Sequence, residues 1–186
     1  MSESAAKGGR YQRSSGGLVG AMIVTVVLVL GFAAFRGLFR ENPATPVRTV
    51  DWSIQVKAGV ADKKLTLLAP PSLPAGWKAT SASYDTGSSP AWHLGLLTAS
   101  RKYVGIEEGR SSVADLVAEH VDANAVKGKP VRLGGETWQQ WTDSGGDYGL
   151  SRTLTGPDRQ QESVLVVGSA AEADIRSLVD GLRPGG

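Results

Sequence analysis

The sequence predicts an α+β fold: an N-terminal transmembrane helix, then a mainly antiparallel β-sheet domain packed with two amphipathic helices. Three observations predict it. Residues 17–36, GLVGAMIVTVVLVLGFAAFR, carry no charge before Arg36. Downstream, short runs rich in β-branched and aromatic residues are separated by Gly and Pro, as strands are. Two further segments repeat their apolar residues at the period of a helix.

The apolar run comes first. From Gly17 to Phe35 its only hydroxyl is Thr25, and at 1.5 Å per residue it reaches roughly 28 Å, close to the hydrocarbon thickness of a bilayer. A core helix of a soluble domain has a polar face, and this run has none. A cleaved signal has an apolar region of about 7–15 residues before a small-residue site. Here the run is longer, and Phe32 and Phe35 interrupt the small residues at its end. The reading is an uncleaved anchor inserted in the lipid bilayer through residues 17–36. Lys7, Arg10 and Arg13 precede it, and Arg36 and Arg40 follow. That balance places the basic tail, residues 1–16, in the cytoplasm and the chain from Glu41 onward outside. Gly17, Gly20 and Ala21 offer an alternative role for the span, association with another membrane helix through a cluster of small residues.

Charge excludes one class of partner. Residues 1–40 hold five basic residues against one acid, Glu3, whereas residues 41–186 hold fifteen against seventeen, a net charge of −2. The basic character belongs to the tail, where it suits anionic lipid headgroups. The rest lacks the basic surface that a nucleic acid requires. The chain contains no cysteine, so disulfides, thiolate nucleophiles and Cys-ligated zinc are excluded.

Pro43 and Pro46 stop any continuing helix, so residues 37–49 read as a juxtamembrane linker. The domain is expected over 50–183, with 184–186 as a tail. Val50, Trp52, Ile54 and Val56 alternate with polar residues, which predicts a first strand over 50–56. Strands are then expected at Leu65–Leu68, Trp77–Tyr84, Trp92–Ala99, Tyr103–Glu108, Trp138–Thr142, Tyr148–Thr155 and Ser163–Gly168. The third and fourth of these downstream runs should pair as a hairpin across Ser100-Arg101-Lys102. Val164-Leu165-Val166-Val167 is apolar on both faces, which places it centrally in the sheet.

Ser112 with Asp115 resembles a capping box ahead of Val113, Leu116, Val117 and Val121. Ser169 with Glu172 forms a second, ahead of Ile175, Leu178, Val179 and Leu182. Each stripe lays one helical face on the sheet.

The basic tail, the single span, the Pro-containing spacer, Val50-Asp51-Trp52, Leu73-Pro74-Ala75-Gly76-Trp77 and the terminal helix together resemble an actinobacterial family of single-pass membrane proteins known only as a domain of unknown function. The resemblance covers nearly the whole chain. It implies topology and fold, and carries no catalytic residue with it. In the order of strands and helices alone, the domain is similar to PsbP-like and LpqN-like sandwiches, a likeness of fold that says nothing about activity.

Few motifs point to chemistry. His93 and His120 lack a third ligand at zinc spacing, so no metal site is expected, and His120 suits the C-terminal rim of a helix. No G-x-S-x-G or HExxH occurs. A Ser/His/Asp triad would have to assemble from distant residues. Glu107 and Glu108 are adjacent on a strand and point to opposite faces, which disfavours paired-carboxylate catalysis. Asp143-Ser144-Gly145-Gly146-Asp147 reads as a hairpin turn, because it lacks the regular oxygen ligands of a calcium loop. No cofactor is implied. Trp138 and Trp141, three apart on one strand, face opposite sides. One packs in the core and the other, beside Gln139 and Gln140, is available to stack on a sugar ring or a partner. These four residues are the candidate contact site. The function expected is a non-catalytic interaction or ligand-binding module of the cell envelope, with a protein or glycan partner. The alternative is an envelope hydrolase whose site the sequence does not display.

Overall fold

The computed structural model describes residues 48–185. The elements run α1 (Ser53–Asp62), β1 (Leu68–Ala69), β2 (Lys78–Asp85), β3 (Ala91–Leu97), β4 (Tyr103–Gly109), α2 (Val113–His120), β5 (Val126–Lys127), β6 (Val131–Leu133), β7 (Glu136–Thr142), β8 (Tyr148–Thr155), β9 (Gln161–Gly168), α3 (Glu172–Gly181) and β10 (Arg183–Pro184). The proposed tail, the span with its Gly17, Gly20 and Ala21, and most of the linker lie outside the described residues. Among the described residues no helix is long and apolar enough to cross a membrane.

The fold is α+β and mainly antiparallel. The large sheet has the order β2-β3-β4-β9-β8-β7-β5, with β6 also on β7, and β1 and β10 form a second, two-stranded sheet. The expected hairpin forms, with Leu97 opposite Tyr103 and His93 opposite Glu107. Its turn is closed by the Thr98 and Arg101 amides, which donate to Lys102 and Thr98 carbonyls at 2.9 Å.

β9 lies at the centre, as its composition predicts, because it buries both faces. Val164 and Val166 join the main core with Trp92, Leu94, Ile106 and Leu150. Ile175, Leu178 and Val179 of α3 cover that side. Leu165 and Val167 point the other way and meet Leu116 and Val117 of α2. The Ser112 hydroxyl accepts the Asp115 amide, so α2 starts at the expected cap.

Three expectations are corrected. The segment Val50–Val56 is not a strand: only the Val50 amide meets the sheet, at Ala79 O, and α1 begins at Ser53. At helical period Trp52 and Val56 pack on the core, while Ile54, which a strand would turn inward beside them, is 67% exposed. The domain therefore has three helices rather than two. Gly59 makes the third possible, because a Cβ there would strike Leu67 Cδ1 and lie 3.0 Å from the Tyr84 ring. Ser169 does not cap α3. Its N-cap is Ala171, without a side-chain bond, because the Ala170 amide still donates to Tyr103 O and delays the helix. Acidic Glu172 and Asp174 then face the helix N-terminus, where the macrodipole favours them.

Candidate functional site

α2 covers only part of its side of the sheet. Its contacts are with β8 and β9, so the same face of β2, β3 and β4 is left open. Between that face and α2 lies a cleft of about 620 Å³, lined by Ser83, His93 and Glu107 from the strands and Leu116, Glu119 and His120 from the helix.

Strand register assembles a hydrogen-bonded chain on this open face. His93 stands directly opposite Glu107 on one side and Ser83 on the other, and Ser81 stands opposite Gly95. Residues two apart on a strand share a face, so Ser81, His93, Gly95, Gly105 and Glu107 all point into the open side. Gly95 has no side chain, and the Ser81 hydroxyl and the His93 ring meet across it: Oγ to Nε2 is 2.8 Å. His93 Nδ1 lies 2.7 Å from Glu107 Oε1. The Glu107 hydrogen bond comes first among the causes that raise the His93 imidazole above its ordinary range, with burial opposing it. A carboxylate accepts only, so Nδ1 carries the proton and, in the neutral ring, Nε2 is left to accept from Ser81. The irregularity between Ala79 and Ser81 puts Ser81 in this position; a one-residue slip in register turns a side chain to the other face.

Residues 10–182 match the family described as Protein of unknown function (DUF4245). The chain belongs to DUF4245. No curated protein matches this chain. Among solved structures it is similar to a chain in the crystal structure of MucB in complex with MucA(peri), with 14% identity, a TM-score of 0.37, and coverage of 63% of this chain and 36% of that one. The MucA/MucB complex of Pseudomonas aeruginosa gives 15% identity, the same TM-score of 0.37, and coverage of 63% and 34%. The DUF4245 chain thus spans about a third of the length of the structures it matches.

Elsewhere in this DUF4245 domain, the residues singled out on β7 are held internally. Trp138 is buried in the core, with the Arg152 guanidinium 5.5 Å from its ring centre. Gln139 Nε2 donates to Gly128 O at 2.7 Å. The Gln140 amide, oriented to suit its neighbours, donates to Lys129 O and accepts from Arg176. Trp141 is half-buried, donates from Nε1 to Ser151 Oγ at 2.8 Å, and has Lys127 Nζ 5.9 Å from its ring centre. Trp138 and Gln140 share one face, Gln139 and Trp141 the other.

The two glutamates of β4 diverge as expected, and the second has a different task. Glu108 is buried and takes the Leu67 and Leu68 amides at 2.6 and 2.7 Å. Glu162, beside it, takes the Thr66 amide through both oxygens at 3.1 and 3.2 Å. Together they clamp a segment in which Leu67 adopts a left-handed backbone with φ of 55°. Such a conformation costs a bulky residue about 1–3 kcal/mol unless its surroundings hold it. Burial pushes the Glu108 carboxyl up to about 7. Asp143 Oδ1 accepts the Gly146 and Asp147 amides at 2.7 Å, which makes the Asp143–Asp147 segment a hairpin turn. His93 and His120 both line the cleft, but among the described residues no three His, Asp or Glu side chains are grouped to hold a metal ion.

Proposed function

We propose that this chain is a membrane-tethered, extracytoplasmic module of the cell envelope that binds a partner protein in the cleft beside α2. The open half of the sheet carries this reading. α2 is only eight residues long and covers β8 and β9, and beside it polar side chains from three strands line one concave surface. Ligand sites are concave surfaces with a few convergent polar groups. The side chains of Trp138, Gln139, Gln140 and Trp141 are satisfied within the domain, which favours the cleft over β7 as the contact surface. The length and all-round apolarity of residues 17–36 support the tether, and the tail's positive charge supports a cytoplasmic N-terminus.

The test is photo-crosslinking in intact cells from a probe at Ser83, with parallel probes at Gln139 and at the exposed Arg132. One dominant protein captured from Ser83 and absent from Arg132 supports the reading. Capture from Gln139 alone moves the contact to β7, and glycan adducts from Ser83 replace the protein partner with a polysaccharide. No adduct from either site overturns binding in the described domain.

A further inference from the structure

We propose that Ser81, His93 and Glu107 form a nucleophilic centre that cleaves small carboxylic esters on the open face of β2, β3 and β4, beside the cleft. The inference rests on the binding reading only for the route by which a natural substrate would arrive.

Three features carry it. The first is the continuous chain of short hydrogen bonds, 2.8 Å from Ser81 Oγ to His93 Nε2 and 2.7 Å from His93 Nδ1 to Glu107 Oε1. This is the order nucleophile, base, orienting carboxylate that makes a serine hydroxyl reactive on unrelated folds. The second is the bare backbone of Gly95. A Cβ built on Gly95 would strike Ser81 Oγ and lie 3.3 Å from His93 Nε2 and 3.4 Å from the Tyr103 ring. The hydroxyl and the imidazole therefore meet only because residue 95 has no side chain, and the Tyr103 ring borders the same point. The third is a donor. Tyr103 is 39% exposed, and its hydroxyl lies over Gly105, 2.6 Å from where a Cβ would stand. A phenolic O–H on this face can stabilise a developing oxyanion.

The substrate class follows from what the site has. A single phenolic donor and an open surface, with the His93 side chain 30% exposed, suit an ester whose alcohol leaves readily. They do not suit the cleavage of an amide, whose leaving group demands stronger stabilisation and full protonation.

In the first step the Ser81 Oγ–C bond forms while His93 Nε2 takes the hydroxyl proton. The C–O bond to the leaving alcohol then breaks, and the alcohol takes that proton from Nε2. In the second step water attacks the acyl-serine, Nε2 takes its proton, and the C–Oγ bond breaks as the proton returns to Ser81. The sum is ester plus water to carboxylic acid plus alcohol, with no change of oxidation state. Ser81 and His93 are the catalytic residues, and Glu107 is a positioning residue that fixes the tautomer.

The decisive experiment treats the full chain in detergent with a small fluorophosphonate probe, which phosphonylates activated serines, and locates the adduct by mass spectrometry. The expected adduct is on Ser81. Ser81→Ala abolishes it, and Ser144→Ala, in an exposed turn, leaves it unchanged. His93→Gln slows labelling by about 100-fold or more, the usual scale of general-base assistance. Glu107→Gln slows it too and lowers the His93 pKa measured by NMR, and Glu107→Asp restores part of both. An unlabelled Ser81 in the wild-type chain overturns the proposal without relying on any variant's folding. Labelling that survives His93→Gln in a chain with an unchanged melting curve overturns it as well. The probe needs no cleft ligand, so crosslinking from Ser83 without phosphonylation of Ser81 would sink the chemistry and leave the binding reading intact.

Discussion

At the residue scale, Glu108 couples the stability of the domain to pH. Its carboxyl is raised by burial to about 7 from the ordinary 4.5. The unfolded chain therefore loses this proton at lower pH than the folded one, and ionisation favours unfolding. The contribution of the protonated group is complete below about 4.5 and is lost as pH rises through about 7. Denaturant titrations across that window are expected to show stability falling by an amount on the order of a few kcal/mol. Glu108→Gln should remove that decline, at a constant cost of about 1–3 kcal/mol for one of the Leu67 and Leu68 amides left without an acceptor. An unchanged slope in this variant would refute the assignment to Glu108. Trp138 offers a second residue-scale outcome. Only 2% exposed, it should cost about 3–5 kcal/mol when replaced by Ala. Half-buried Trp141 should cost distinctly less, and equilibrium unfolding of the two variants measures the difference.

At the scale of elements, α1 shows packing overruling local preference. Gly59→Ala improves helix propensity by about 1 kcal/mol. The added methyl, however, strikes Leu67 Cδ1, and Leu67 is fully buried and held by Glu108. Overpacking of this kind costs about 1–3 kcal/mol, so the expected net effect is a lower melting temperature. A higher one would mean that Leu67 has room to move. The same element explains the failure of the strand reading. Val50, Trp52, Ile54 and Val56 fit a period of two, yet Trp52 and Val56 also fit a helical turn, and seven residues do not separate the periods. The β3–β4 hairpin was legible, because a short turn after Leu97 and before Tyr103 sets the register and places His93 across from Glu107. The α2 cap was legible for a similar reason: Ser112 and Asp115 are close in sequence. The missed cap of α3 depended on Tyr103, a residue far away in the chain.

At the scale of the whole molecule, the chain's freedom from cysteine makes its proposed topology directly measurable. A single cysteine introduced as Ser144→Cys, in the turn between β7 and β8, should react with a membrane-impermeant maleimide added to intact cells. Protection until the cells are lysed would place the domain on the cytoplasmic side and reverse the proposed orientation.

The sequence by itself determined most of the strands, the pairing of β3 with β4, the central position of β9 and the apolar stripes of α2 and α3. Each is written in the spacing of near neighbours, where period and turn chemistry act. Only the tertiary structure decided that α1 is a helix, that Glu108 and Glu162 clamp the Thr66–Leu68 backbone, and that Ser81 reaches His93. Those outcomes depend on which distant segments come together. The last of them turns on a strand irregularity beside Ser81 and on the bare backbone of Gly95, whose consequence for either neighbour appears only once β2 and β3 lie side by side.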